Sequence, residues 1–79
     1  MKMDYKQILT DIARAIVDTP DSVTVTETVD GDDIELVLSV APDDMGMVIG
    51  RHGKIAKAIR TLMKAAATPE GKRITVEIK

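Results

Sequence analysis

Apolar residues recur at three- and four-residue intervals near the start of the chain, at Tyr5, Ile8, Leu9, Ile12, Ala15 and Ile16. That spacing predicts an amphipathic helix with Asp4 as N-cap, Gln7 in the capping-box position and Pro20 closing it. From Ser22 the period falls to two. Val23, Val25 and Val29 share one face and Thr24, Thr26 and Thr28 the other, which is the pattern of a half-buried strand. Asp30-Gly31 supplies a turn, and Ile34, Leu36, Leu38 and Val40 then alternate with Glu35, Val37 and Ser39 as a second strand, antiparallel to the first.

Ala41-Pro42-Asp43 ends that strand and offers a helix start. Met45, Met47, Val48 and Ile49 fit one or two helical turns halted by Gly50, with Val48 and Ile49 read as core and Ile49 alternatively as part of an apolar groove floor. A longer helix runs from Gly53 to about Ala67, Thr68-Pro69-Glu70-Gly71 breaks it, and Ile74, Val76 and Ile78 alternate as a third strand. The order is helix, strand, strand, helix, helix, strand, without linker, repeat or low-complexity segment. It predicts one α+β domain over residues 1–79, with the helices packed on one face of a three-stranded sheet.

Composition narrows the core. Of the 44% apolar residues only Tyr5 is aromatic, so the interior is aliphatic, and the near absence of aromatics argues against a base-stacking surface of the RRM or OB kind. With no cysteine and one histidine, neither a disulfide framework nor a zinc cluster can be assembled, and no metal or cofactor is expected. The opening Met1-Lys2-Met3-Asp4 runs straight into the helical pattern, with neither a signal-type apolar stretch nor a membrane span. A cytoplasmic protein without membrane contact is the default expectation.

Charge changes the picture more than composition does. The net charge is −2, yet residues 1–49 hold three Lys/Arg against eleven Asp/Glu, whereas residues 50–79 hold eight against two. Exposed charges are screened over about 8 Å at physiological ionic strength, so a partner responds to the local excess rather than to the total. Within the basic half, Lys54, Lys57, Arg60 and Lys64 fall on one stripe of the predicted long helix at about 100° per residue. Ile55, Ile59, Leu62, Met63 and Ala66 fall opposite and are expected against the sheet.

A basic helical stripe is usually a solvated face, but this one starts at a glycine-bracketed turn between two helices. There the first N–H groups of the second helix lack intrahelical acceptors and its dipole favours an anion. Phosphate is the natural guest. Two glycines three apart mean little alone, since at glycine usage of about 7% roughly 0.4 such pairs arise by chance in a chain this long. Here the pair lies within Val48-Ile49-Gly50-Arg51-His52-Gly53-Lys54-Ile55-Ala56-Lys57-Ala58-Ile59, and this resembles the signature of the KH family, whose loop clamps the backbone of about four nucleotides.

The element order matches the type II KH arrangement over essentially the whole chain. The Pro-Asp-Ser-Val run before the first strand and the Gly-Arg-His-Gly-Lys loop look like the bacterial KhpA (YlqC) family. The resemblance implies a non-catalytic, cytoplasmic, chaperone-like protein that binds single-stranded RNA. It further implies that the protein self-associates as a homodimer, partners a larger KH-containing protein and influences cell-envelope synthesis and cell shape. Carried over by position, Gly50 and Gly53 bracket the loop and admit the phosphates, Arg51 and His52 are its exposed pair, and Lys54 is the first base of the following helix. Lys57 and Arg60 extend the track, and Lys64 is its far end.

Competing chemistry is weaker. His52 has no Ser, Asp or Glu beside it in the motif to make it a catalytic base. Asp30, Asp32 and Asp33 lack the length and terminal Glu of an EF-hand, and the glycine loop is too short for a P-loop and has no Ser/Thr after its lysine. One rival reading remains, a protein-interaction module on the same scaffold. It would dock partners on the acidic N-terminal half or on the small-residue flank Ala58, Thr61 and Ala65.

Overall fold

The computed structural model describes residues 3–79, so Met1 and Lys2 of the N-terminal run lie outside the described residues. The elements are α1 (Tyr5–Ile16), β1 (Thr24–Asp30), β2 (Asp33–Ser39), α2 (Met45–Ile49), α3 (Lys54–Ala67) and β3 (Arg73–Ile78), joined in part by short 3₁₀ turns. This is the expected α-β-β-α-α-β order. The sheet runs β1-β2-β3, with β1 antiparallel and β3 parallel to the central strand. Leu36 pairs with Glu27 on one side and Val76 on the other.

Asp4 caps α1 as expected, accepting the Gln7 N–H at 3.1 Å. The Gln7 side chain does not complete a capping box; it donates to Asp11 at 2.8 Å instead. The helix stops at Val17, whose extended backbone breaks it before Pro20, and Pro20 opens a 3₁₀ turn. Tyr5, Leu9, Ala13 and Val17 form the buried stripe of this segment. Ala15, expected on that face, is exposed, because spacing by four from Tyr5 places Ala13 at the centre of the contact.

The core is almost wholly aliphatic. Leu9, Leu36, Leu38, Val48, Ile59 and Met63 are its largest fully buried members, four from the helices and two from the central strand β2. Two part-buried polar contacts between residues distant in the sequence brace this core. The Tyr5 hydroxyl donates to Glu70, and the Asp44 carboxylate, 2% exposed, accepts the Thr19 N–H at 2.9 Å. Among the described residues no helix is long and apolar enough to cross a membrane, and no acidic or histidine group could hold a metal ion.

Candidate nucleic-acid interface

α2 ends where Gly50 N–H reaches Gly46 O at 2.8 Å, and Gly50 then adopts φ 76°, ψ 175°. That combination is essentially reserved for glycine. A Cβ added there would lie 2.3 Å from Ile55 Cγ1 and 2.9 Å from Ile55 Cβ. Both the turn and the space therefore require glycine. Gly53 has φ 72° as the left-handed N-cap of α3, but open space surrounds its missing Cβ. His52, at φ 58°, is the one non-glycine in left-handed geometry among the described residues, and histidine is among the residues enriched there.

At Gly50 the missing side chain makes room for Ile55, which occupies the direction a Cβ would take. Gly53 keeps its open flank. Arg51 and His52 project from the turn as exposed side chains, and no side chain caps the first turn of α3. An anion there would meet helix N–H groups and two side-chain donors together.

Lys54, Lys57 and Lys64 are exposed along α3, as the stripe predicts. Among the described residues none of them, nor Arg51 or Arg60, pairs with an acid. Arg60 is exposed on the same stripe, but its Nε donates to Val76 O on β3 at 3.1 Å, which draws the guanidinium towards the sheet edge. The remaining charge of the basic half is partly spent. Lys72 reaches Asp32 at 3.1 Å and Arg73 reaches Asp33 at 2.6 Å, both at the hairpin turn. The Asp33 hydrogen bond and its charge hold the Arg73 guanidinium above its ordinary pKa. The unpaired cations are thus concentrated on the loop and α3.

The buried face of α3 keeps Ile59 and Met63 of the expected set but is rotated away from Ile55 and Leu62. Ala56, Ile59, Met63 and Ala67 are buried and Ala66 half-buried, whereas Ile55 is 39% and Leu62 is 56% exposed. Small residues at 56 and 67 let the helix backbone sit close to the layer beneath, and this rotates the larger Ile55 and Leu62 outward. Ile55 packs instead against Gly50. Ile49, read as core, is 38% exposed beside Met47, also 38%, leaving Val48 as the buried member of α2. Ile55, Ala58, Leu62 and Ala65, with Thr61 beside them, form an exposed apolar stripe next to the cations.

Residues 6–78 match the family model described as KhpA/KhpB, KH domain. The RNA-binding protein KhpA of Clostridium acetobutylicum is 58% identical over 73 residues, spanning 92% of this chain and 97% of that one. Its counterpart in Caldanaerobacter subterraneus subsp. tengcongensis is 54% identical over 72 residues, 91% of this chain and 96% of the other. That of Treponema pallidum is 46% identical over 74 residues, 92% and 91% of the two chains. Among solved structures, a crystal structure of an Aquifex aeolicus Era variant bound to GDP·AlF4− superposes with TM-score 0.67 at 19% identity. It covers 94% of this chain and 29% of that one, a likeness of fold alone. With the α-β-β-α-α-β order, the parallel β2–β3 pair and the glycine turn into α3 all in place, the match along nearly the whole length means that this chain belongs to the KhpA/KhpB KH-domain family.

Proposed function

We propose that residues 1–79 form one type II KH unit that binds single-stranded RNA without catalysing a reaction. Gly50 and Gly53 shape the loop, Arg51, His52 and Lys54 meet phosphate, and Lys57 continues the track. Arg60 lies where the track meets the edge of β3. The observation that carries this reading is the glycine turn opening α3 with, among the described residues, no acid paired to the five Lys/Arg of residues 51–64. Relatives that share about half of the sequence are RNA-binding proteins by name, which supports the choice of polyanion.

Salt titration tests the reading. If about four cations neutralise phosphates, the logarithm of the association constant should fall against log salt with a slope of about −2 to −3, or roughly 15- to 60-fold between 50 and 200 mM. A flat profile would leave apolar docking as the better account.

The same reading extends to an RNA-chaperone role in the cytoplasm, exercised as a homodimer or with a larger KH-containing protein. It would serve post-transcriptional control linked to cell-envelope synthesis and cell shape. Family membership supports this, as does a family model that covers KhpA and KhpB together. For self-association the supporting observation is the exposed Ile55, Ala58, Leu62 and Ala65 stripe, whose spacing and small members suit close helix packing. Leu62→Glu should convert a dimer into a monomer in light scattering and weaken RNA binding by removing the second site. A wild-type chain with a monomer mass at every concentration would remove the dimer from the proposal.

A further inference from the structure

Asp44 is the one charged side chain buried among the described residues, and it stands at the N-cap of α2. An aspartate there ordinarily accepts hydrogen bonds from the first N–H groups of its own helix. Asp44 makes no such bond. Its Oδ2 accepts instead from Thr19 N–H, 25 positions earlier in the chain. Thr19 lies in the connection between α1 and β1, directly before the Pro20–Ser22 turn. The bond therefore joins that connection to the point where the chain leaves the sheet for α2.

α2 has only five residues, too few to sustain a helix by its own hydrogen bonds. Its course is set by what holds it from outside. Val48 is fully buried beneath it and Met45 packs against the core at its start, but apolar contact is non-directional and fixes the course of a one-turn helix less sharply than a hydrogen bond does. The Asp44–Thr19 bond is directional and acts at the end opposite the loop. Gly50 alone separates α2 from Arg51 and is packed against Ile55, so a change in the direction of α2 is passed on to Arg51 and His52 through that one turn residue.

We propose that Asp44 is a positioning residue for the Gly50–Gly53 loop: its carboxylate, held on the Thr19 N–H, sets the direction of α2 and so the presentation of Arg51 and His52. The inference rests on the reading of that loop as the RNA grip and adds to it a residue that touches no RNA.

Three variants test it. Asp44→Asn keeps a carbonyl oxygen for Thr19, Asp44→Ala removes the acceptor, and Ile34→Val lowers stability at the buried hairpin end of the sheet. Amide residual dipolar couplings report the directions of α2 and the loop, and affinity is measured with a short single-stranded oligouridine. Asp44→Ala should shift the couplings of residues 45–53 and weaken binding roughly three- to tenfold, the worth of one hydrogen bond. Asp44→Asn should restore both, and Ile34→Val should change neither. In the wild type, a coupling across the hydrogen bond from Thr19 N to the Asp44 carboxyl carbon should be measurable even if Asp44→Ala does not fold.

The proposal is overturned if that coupling is absent, if Asp44→Ala leaves couplings and affinity unchanged, or if Ile34→Val causes the same loss. A wild-type chain that ignores oligouridine sinks the RNA reading alone, and the dipolar couplings still decide whether Asp44 positions the loop.

Discussion

Gly50→Ala should destabilise the fold by about 3 kcal/mol, the sum of a glycine-only backbone conformation and an overpacked contact. The added methyl would lie 2.3 Å from Ile55 Cγ1 with φ held at 76°. Neither fault relieves the other, because turning the backbone to a permitted angle would redirect the chain between α2 and α3. In a domain of this size such a loss lowers Tm by roughly 10–25 °C. Gly53→Ala shares the left-handed backbone but meets nothing within 4 Å, so it should cost only about 1–2 kcal/mol. Trimming Ile55 to alanine in the Gly50→Ala background should recover part of the loss, leaving a coupling of at least about 0.5 kcal/mol in a double-mutant cycle. Denaturant unfolding of the four variants checks this, and equal costs at the two glycines would contradict the assigned role of Ile55.

That asymmetry marks how far the sequence could be read. Periodicity located every helix and strand, because patterns of two and 3.6 follow from backbone geometry and survive whatever the chain packs against. The choice of face on α3 did not follow from it. Hydropathy ranks Ile55 and Leu62 above Ala56 and Ala67, but close approach of a helix to the layer beneath selects for size, and alanine wins where space is short. The charge asymmetry was legible along the chain, but the pairing of its charges was not. Lys72 and Arg73 are tied to acids 40 positions away, and only the tertiary fold reveals which cations remain unpaired. Asp44 carried no signal at all, since an aspartate before a short helix reads as an ordinary cap until its partner in the α1–β1 connection is known. Arg60 is intermediate. Its place on the basic stripe is correct, and its bond to Val76 O depends on a strand that begins after α3 has ended.

The double change Arg51→Asp and His52→Asp should separate binding from stability most sharply. Both side chains are exposed and neither makes a hydrogen bond or ion pair within the described chain, so unfolding free energy should move by no more than about 0.5 kcal/mol. Aspartate also tolerates the left-handed backbone of residue 52, which keeps the turn intact. Binding should respond very differently. Two donors to phosphate are lost and two negative charges take their place at the mouth of the loop, removing charge-assisted hydrogen bonds of about 1.5 kcal/mol each, or roughly 100-fold in affinity. Arg73→Ala is the matching control: it also removes a cation from the basic half, but one already bonded to Asp33 at the hairpin turn. If affinity follows the charges near the loop, Arg73→Ala should leave it within about twofold, because the Arg73 guanidinium is already engaged by Asp33 and exposed charges are screened. Fluorescence anisotropy with labelled single-stranded RNA distinguishes the outcomes, and a similar loss in both variants would mean that the net charge of the chain, rather than the Gly50–Gly53 loop, governs binding.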